Sequence, residues 1–420
     1  MTSRERVIET INHRIPDRVP IDLGGTHVTS FSATAYQNFR AYHGLEQKPC
    51  KLSCMLMMAA KLDDDAREIM GIDTTFLSYP VDAAGCRYDR VKPFRLNDGT
   101  DVYVGASNQW DYLDDGSVVM YPRGDKTVDP SMIMVPGGDY FSNINARLTW
   151  DEDDSDPRGD WKNDFLQISD WAARYLEEES IRLYNDTDYA VIGYFPFYGI
   201  GDSGIIPGSF VKHPKGPRKL DDFLAANLIY PEYLEEVFDM QEEVALKNLQ
   251  IYKDAVGDRI QILIVSGSDY GTQTGPLISP DTFRELYKPH YKKVNDWIHA
   301  NTNWKTMYHS CGNITAFIED YIDMGCDILN PIQLSAGMDA RFLKETYGDR
   351  LVFWGAGADS QGALTFGTPD EVRAQVRERL EIFAPGGGYV FNPVHNIMPN
   401  TDVENIMAML DEVHKYNDEH

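Results

Sequence analysis

The chain reads as an α/β protein built as a (β/α)8 TIM barrel, with an antiparallel β-hairpin insertion after the second strand. Three observations carry that expectation. Short apolar or β-branched runs alternate with longer helical patterns from residue 190 onward. Those runs are apolar on both faces, as strands covered by helices on either side must be. With two earlier runs the count reaches eight. An open doubly wound sheet is the alternative architecture for the same alternation.

Taken in order, the N-terminal stretch "MTSRERVIETINHRIPDRVP" is amphipathic and charged, without the apolar centre of a signal peptide. Strands are expected in "RVPIDLGG" (18–25) and "TTFLSYP" (74–80). Between them, "KPCKLSCMLMMAAKLDDDAREIMGID" reads as helix and puts Cys50 and Cys54 at i and i+4. That spacing can bind a metal, but a buried helix face is the simpler account. Residues 81–165 hold the excess length. There "FRLNDGTDVYVGASNQWDYLDDGSVVMYPRG" alternates strand-like runs with Asn-Asp-Gly and Asp-Asp-Gly turns, the pattern of successive hairpins. The acidic "WDEDDSDPRGDW" that follows is expected as a solvated loop. The whole segment is read as an insertion within one domain of residues 1–420.

The remaining strands are expected in "AVIGYFPF" (190–197), "IQILIVSG" (260–267), "KTMYHSCG" (305–312), "DILNPIQ" (327–333), "LVFWGAG" (351–357) and "YVFNPVHN" (389–396). Two intervening helices announce their starts. Ser279 is an N-cap with Pro280 at the first helical position. Thr368 is another, with Pro369 next and Glu371 completing a capping box.

Composition narrows the function. With 420 residues and 42% apolar content the chain can bury a sizeable core. Its 66 acidic against 39 basic side chains give a formal charge of −27, which repels nucleic acid and anionic membranes. No run approaches about 18 apolar residues, so no membrane span is expected. Five cysteines are an odd, sparse set and read as reduced thiols of a cytoplasmic protein. A homo-oligomer is compatible with all of this.

Reactive groups of such a barrel sit at the C-terminal ends of its strands. His309 and Cys311, in "MYHSCGNI" (307–314), occupy that position on the fifth strand and point the same way. Imidazole and thiolate are ligands that Zn2+ favours. The competing account makes Cys311 a small hydrophobe and His309 a satisfied core residue. His395, closing the eighth strand after Asn392 and Pro393, supplies a third donor. Cys326 precedes its strand, belongs to the opposite rim, and reads as structural. Other polar groups gather at strand ends: His27, Tyr198, Asp269, Asn330 and Gln333. With Phe195 and Phe197 they outline a substrate pocket with aromatic walls. There is no G-x-x-x-x-G-K-[ST] loop, and "GAGADSQG" lacks the G-x-G-x-x-G spacing.

These motifs, together with "RIPDRVPIDLGG", "SDYGTQTGPLISPDTFRELYKPHYKKV", "DMGCDILNPIQ", "GDRLVFWGAGAD" and "GGGYVFNPVHNIMPNTDVENI", resemble the uroporphyrinogen decarboxylase superfamily, and more closely its corrinoid-dependent methyltransferase branch. The resemblance implies a (β/α)8 barrel with its site at the strand C-termini. The decarboxylases carry an arginine-rich motif after the first strand, whereas "DLGGTHVTSF" holds no arginine. The methyltransferases hold zinc through H-x-C and a later Cys. His309 and Cys311 match the first two, and His395 stands where the third falls. A His-Cys-His set carries one thiolate fewer, so its zinc would be the better Lewis acid.

Thiol methylation needs an electron-rich site. Demethylating an ether needs stabilisation of charge on a departing oxygen. The resemblance therefore implies a zinc enzyme that moves a methyl group from a methoxylated aromatic compound to Co(I). Zinc-bound substrate oxygen is the centre of that chemistry, and no separate acid or base is assigned. No D-x-H-x-x-G cobalamin motif occurs, so the corrinoid would come on a partner protein. Methyl transfer to a thiol such as coenzyme M, a metal-free decarboxylase-like reaction, and a non-catalytic binding barrel are the alternatives.

Overall fold

The apolar runs become parallel strands in the computed structural model, which describes residues 1–144, 148–196, 198–202 and 208–420. In chain order the strands are β1 (Cys50–Cys54), β2 (Ala59–Ala60), β3 (Thr74–Leu77), β4 (Val91–Arg95), β5 (Asp101–Gly105), β6 (Trp110–Tyr112), β7 (Val118–Met120) and β8 (Met132–Met134). They continue with β9 (Ser142–Asn143), β10 (Ala190–Tyr194), β11 (Ile262–Ser266), β12 (Lys305–His309), β13 (Ile328–Asn330), β14 (Val352–Trp354) and β15 (Tyr389–Val390). One seven-stranded sheet runs β15-β14-β13-β12-β11-β10-β3, parallel at every pairing. Each of its strands lies inside an expected run.

The eighth position is reduced to one residue. In 18–25 only Ile21 pairs, in parallel with Phe391 just past β15. Pro20 has no N–H for a ladder, and Gly24 at φ 78° turns the chain away. On the other side Asp73 N–H donates to the Ile21 carbonyl at 2.9 Å, while Ile21 N–H donates to Asp73 Oδ2 at 2.9 Å. A carboxylate thus stands in for a backbone acceptor. Ile21 joins both edges, and the sheet curls into a TIM-like barrel.

Ile192, Ile264, Met307, Ile328, Val352 and Val390 pack inside it. The helix Ser3–Ile11 adds Val7 and Ile11 to the same cluster, which plugs the N-terminal end and leaves the strand C-termini as the open mouth. Both expected caps form: Ser279 accepts from Thr282 N–H, and Thr368 with Glu371 makes a capping box. Downstream of Ser279 the helix widens to a π-turn at Phe283–Tyr287. Pro289 explains it, since its ring crowds the carbonyl four residues back and it gives no N–H.

Between β3 and β10, strands β4 and β5 pair antiparallel around residues 97–99, and β6 and β7 around 114–116. β8 and β9 extend the second of these sheets. Two expectations are corrected. Residues 50–54 form a strand, which pairs with β2 and with β5. Cys50 and Cys54 therefore lie about 13 Å apart along the chain, too far to share an ion. The acidic stretch is continuously exposed only over 151–156. Beyond it Pro157–Trp161 is helical, and Trp161 is buried, its indole donating to Tyr233 Oη at 3.0 Å beneath the Arg218 guanidinium.

Asp82, buried in the loop after β3, accepts from Cys86 N–H at 2.8 Å and Asn108 Nδ2 at 2.6 Å. Burial pushes its carboxyl up to about 6. A raised folded value favours the fold most below the unfolded value near 3.8, and that contribution is lost as pH rises through about 6. The difference is on the order of 3 kcal/mol. Asp82→Asn should therefore flatten the stability-against-pH curve between pH 4 and 7, as measured by denaturant titration at several pH values.

Candidate metal centre

β12 ends at His309, and the ladder register sets His309 beside Asn330 on β13. After the strand, neighbouring loops hold the chain through its backbone. Cys311 N–H donates to Asp269 Oδ1 at 2.6 Å, and Gly312 N–H to Gln333 Oε1 at 2.7 Å. Asn313 N–H donates to the Thr272 carbonyl at 2.8 Å. Gly312, at φ 85°, lets this loop touch the backbone at Gly271, where a Cβ would clash.

This places Cys311 Sγ 3.3 Å from His309 Nε2. His395 faces them from the loop after β15, its ring centroid 5.3 Å from that of His309. The three donor atoms lie within 4.8 Å of one another. A tetrahedral zinc with ordinary Zn–N and Zn–S bonds separates its donors by roughly 3.4–3.6 Å, and the His309–Cys311 pair at 3.3 Å comes close to that spacing. The donor set fits zinc.

Electrostatics agree with neutral ligands. Burial lowers His309, with Asp269 and Asn330 opposing. Burial, with His309 and His27 nearby, pushes His395 down to about 3, and burial next to His309 takes His27 down to about 4. Burial, then Asp269, pushes the Cys311 thiol well up. A bound cation would take the place of the thiol proton.

The other expected site residues separate into two groups. His27 stays at the mouth, half-buried, with Tyr194 at 5.2 Å edge-on and Phe76 at 5.8 Å. Asp269 is also there, 4.0 Å from His309 Nε2 and 46% exposed. Asn330 and Gln333, expected to face substrate, are buried and engaged within the protein. Asn330 Oδ1 lies 2.6 Å from His309 Nδ1, and its Nδ2 donates to the Trp354 carbonyl at 2.9 Å. Gln333 Nε2 donates to Gln361 Oε1 at 3.1 Å. Tyr198 turns into the helix layer, where its hydroxyl donates to the His290 carbonyl at 3.2 Å and its ring packs on Phe195 and Tyr291. Phe197 lies outside the described residues. Phe76 and Tyr194 were missed, although both are aromatic and sit at strand ends, two residues on from inward-facing positions.

Among the described residues a second donor group, Asp239, Glu242 and His290, lies on the outer helices. Lys293 Nζ already sits 3.1 Å from Glu242, so a cation is present there without metal.

Comparison with known proteins gives likenesses in sequence and in fold. Residues 214–416 match the family model described as uroporphyrinogen decarboxylase (URO-D). The methylcobamide:CoM methyltransferase MtaA of Methanosarcina barkeri is 29% identical over 188 residues, 45% of this chain and 50% of that protein. A uroporphyrinogen decarboxylase of Thioalkalivibrio sulfidiphilus is 35% identical over 145 residues, 34% of this chain and 39% of that protein. The chain thus spans half or less of the length of these curated relatives. In fold, a methyltransferase from Methanosarcina mazei superposes with a TM-score of 0.58 over 99% of both chains at 18% identity. Residues 214–416, which contain His309, Cys311 and His395, are thus the part of the chain that is similar to the uroporphyrinogen decarboxylase family.

Proposed function

We propose that the chain is a zinc-dependent methyltransferase that takes a methyl group from a methoxylated aromatic substrate and passes it to the Co(I) of a separate corrinoid protein. The observation that carries this reading is the convergence of His309, Cys311 and His395 at the barrel mouth, donor atoms within 4.8 Å. Similarity to a methylcobamide methyltransferase supports the corrinoid side. Zn2+ bound there would supply Lewis acidity toward a substrate oxygen, stronger with a single thiolate ligand than with two.

The chain's own residues supply orientation. His309, Cys311 and His395 would hold the ion, and His27, Phe76 and Tyr194 offer aromatic edges against which a methoxyarene ring can lie. In the net reaction the ether carbon–oxygen bond breaks with its electron pair left on oxygen, which takes a proton from solvent. The methyl carbon bonds to the partner's cobalt through the electron pair of Co(I). Residues 81–165 are read as an insertion within one barrel domain. The free cysteines fit a reducing, cytoplasmic setting. No helix among the described residues is long and apolar enough to cross a membrane.

The coenzyme M acceptor named for the Methanosarcina barkeri relative favours a second reading, methyl transfer from a methylated corrinoid protein to a thiol. Cobalt absorption separates the two when methoxyarenes and thiols are offered together with a corrinoid protein. Ether-dependent methylation of the corrinoid supports the first reading. Its demethylation by a thiol supports the second. Neither change, with zinc bound, would overturn both.

A further inference from the structure

We propose that Asn330 is a positioning residue that determines which ring nitrogen His309 presents to the metal. This rests on the metal reading of His309 above. The parallel register brings His309 and Asn330 side by side, with Nδ1 and Oδ1 2.6 Å apart.

Which end of the Asn330 amide faces the ring follows from its other contact. Its far end lies 2.9 Å from the Trp354 carbonyl, an oxygen that can only accept. The NH2 group therefore points to Trp354, and the amide oxygen is left for His309. Facing an acceptor, Nδ1 carries the proton, so Nε2 keeps its lone pair. Nε2 is the nitrogen 3.3 Å from Cys311 Sγ.

The arrangement is anchored further back. The Trp354 indole donates to Asp22 Oδ2 at 2.7 Å, and Asp22 Oδ1 accepts from Thr74 Oγ1 at 2.6 Å and Gly25 N–H at 2.7 Å. Asn330, Trp354 and Asp22 are all 0% exposed, so water is not at hand to replace a lost partner. Asn330 touches the ligand and not the reacting atoms. Its contribution is a single tautomer and a fixed ring plane, which outer partners of metal-bound histidines supply at about 10- to 100-fold in metal affinity.

Nitrogen-15 NMR of the metal-free protein and zinc titration against a competing chelator test this together. The His309 signal, identified by its loss in His309→Ala, should report the Nδ1–H tautomer in the wild type. Near-isosteric Asn330→Leu should lose that preference and bind zinc about 10- to 100-fold more weakly. Asn330→Asp, which keeps an acceptor oxygen, should retain both the tautomer and an affinity close to wild type. Should the leucine variant fail to fold, the wild-type tautomer and the aspartate variant still decide. An Nε2–H tautomer in the wild type, or equal zinc affinity in wild type and Asn330→Leu, would overturn the role of Asn330 while the metal site stands. No zinc binding by the wild type would remove the metal reading and this proposal with it.

Discussion

Wild-type protein should purify with about one zinc per chain, and Cys311→Ala, His309→Ala and His395→Ala should each purify without it. Outer partners of zinc ligands already account for 10- to 100-fold in affinity. Loss of one of three direct ligands should exceed about 100-fold and abolish methyl transfer with it. The prediction follows from donor atoms within 4.8 Å and from a His309–Cys311 separation of 3.3 Å, close to that of two zinc ligands. Elemental analysis of chelator-free preparations checks it. Zinc retained in all three variants would return "MYHSCGNI" to the status of an ordinary strand end and bring a metal-free reaction forward.

The second large effect concerns the fold. Asp73→Ala should destabilise the protein by about 3–5 kcal/mol, the cost of breaking a buried ion pair from one side. Asp73 is 0% exposed. Its carboxylate accepts from Arg6 at 2.7 Å, from Arg18 at 2.9 Å on both oxygens, and from Ile21 N–H. Removing it leaves Arg6 Nη1 and the Ile21 amide without their acceptor, and Arg18 with only the Val19 and Gly71 carbonyls. Asp73→Asn, which keeps a hydrogen-bond acceptor for Ile21, should fall between wild type and alanine. Urea unfolding followed by tryptophan fluorescence gives the numbers. A loss under about 1 kcal/mol in the alanine variant would show that the joint at Ile21 holds without the carboxylate.

The barrel strands were legible because burial on both faces leaves an unbroken apolar run, as in "ILIVS" at 262–266, and turn residues bracket the hairpins. The two helix starts were legible because a cap is a local device: Ser279 and Thr368 each satisfy amides only three residues away. The nearness of His309, Cys311 and His395 followed from strand-end position, with period-two alternation setting the first two side by side. What was hidden depended on partners distant in sequence. "CKLSC" carries no strong local preference, and its pairing with residues 101–105 made it a strand. Tyr198 lies four residues past the end of β10, where the alternation no longer says which way a side chain turns. Asn330 and Gln333 looked substrate-facing because they are polar groups at a strand end. Their actual partners, the Trp354 carbonyl and Gln361 among them, come from the next βα unit.

The one-residue first strand has a mechanical meaning for the metal centre. His309 and Cys311 belong to a single chain segment in the middle of the sheet, clamped by β11 and β13 on either side, so their spacing is stiff. His395 follows Phe391, the residue that meets Ile21 across the joint. Any spreading of the cylinder at that joint moves the third donor relative to a rigid pair. The pair and the third donor thus hang from different parts of the ring, and Asp73 and Ile21 close that ring on the side where His395 sits.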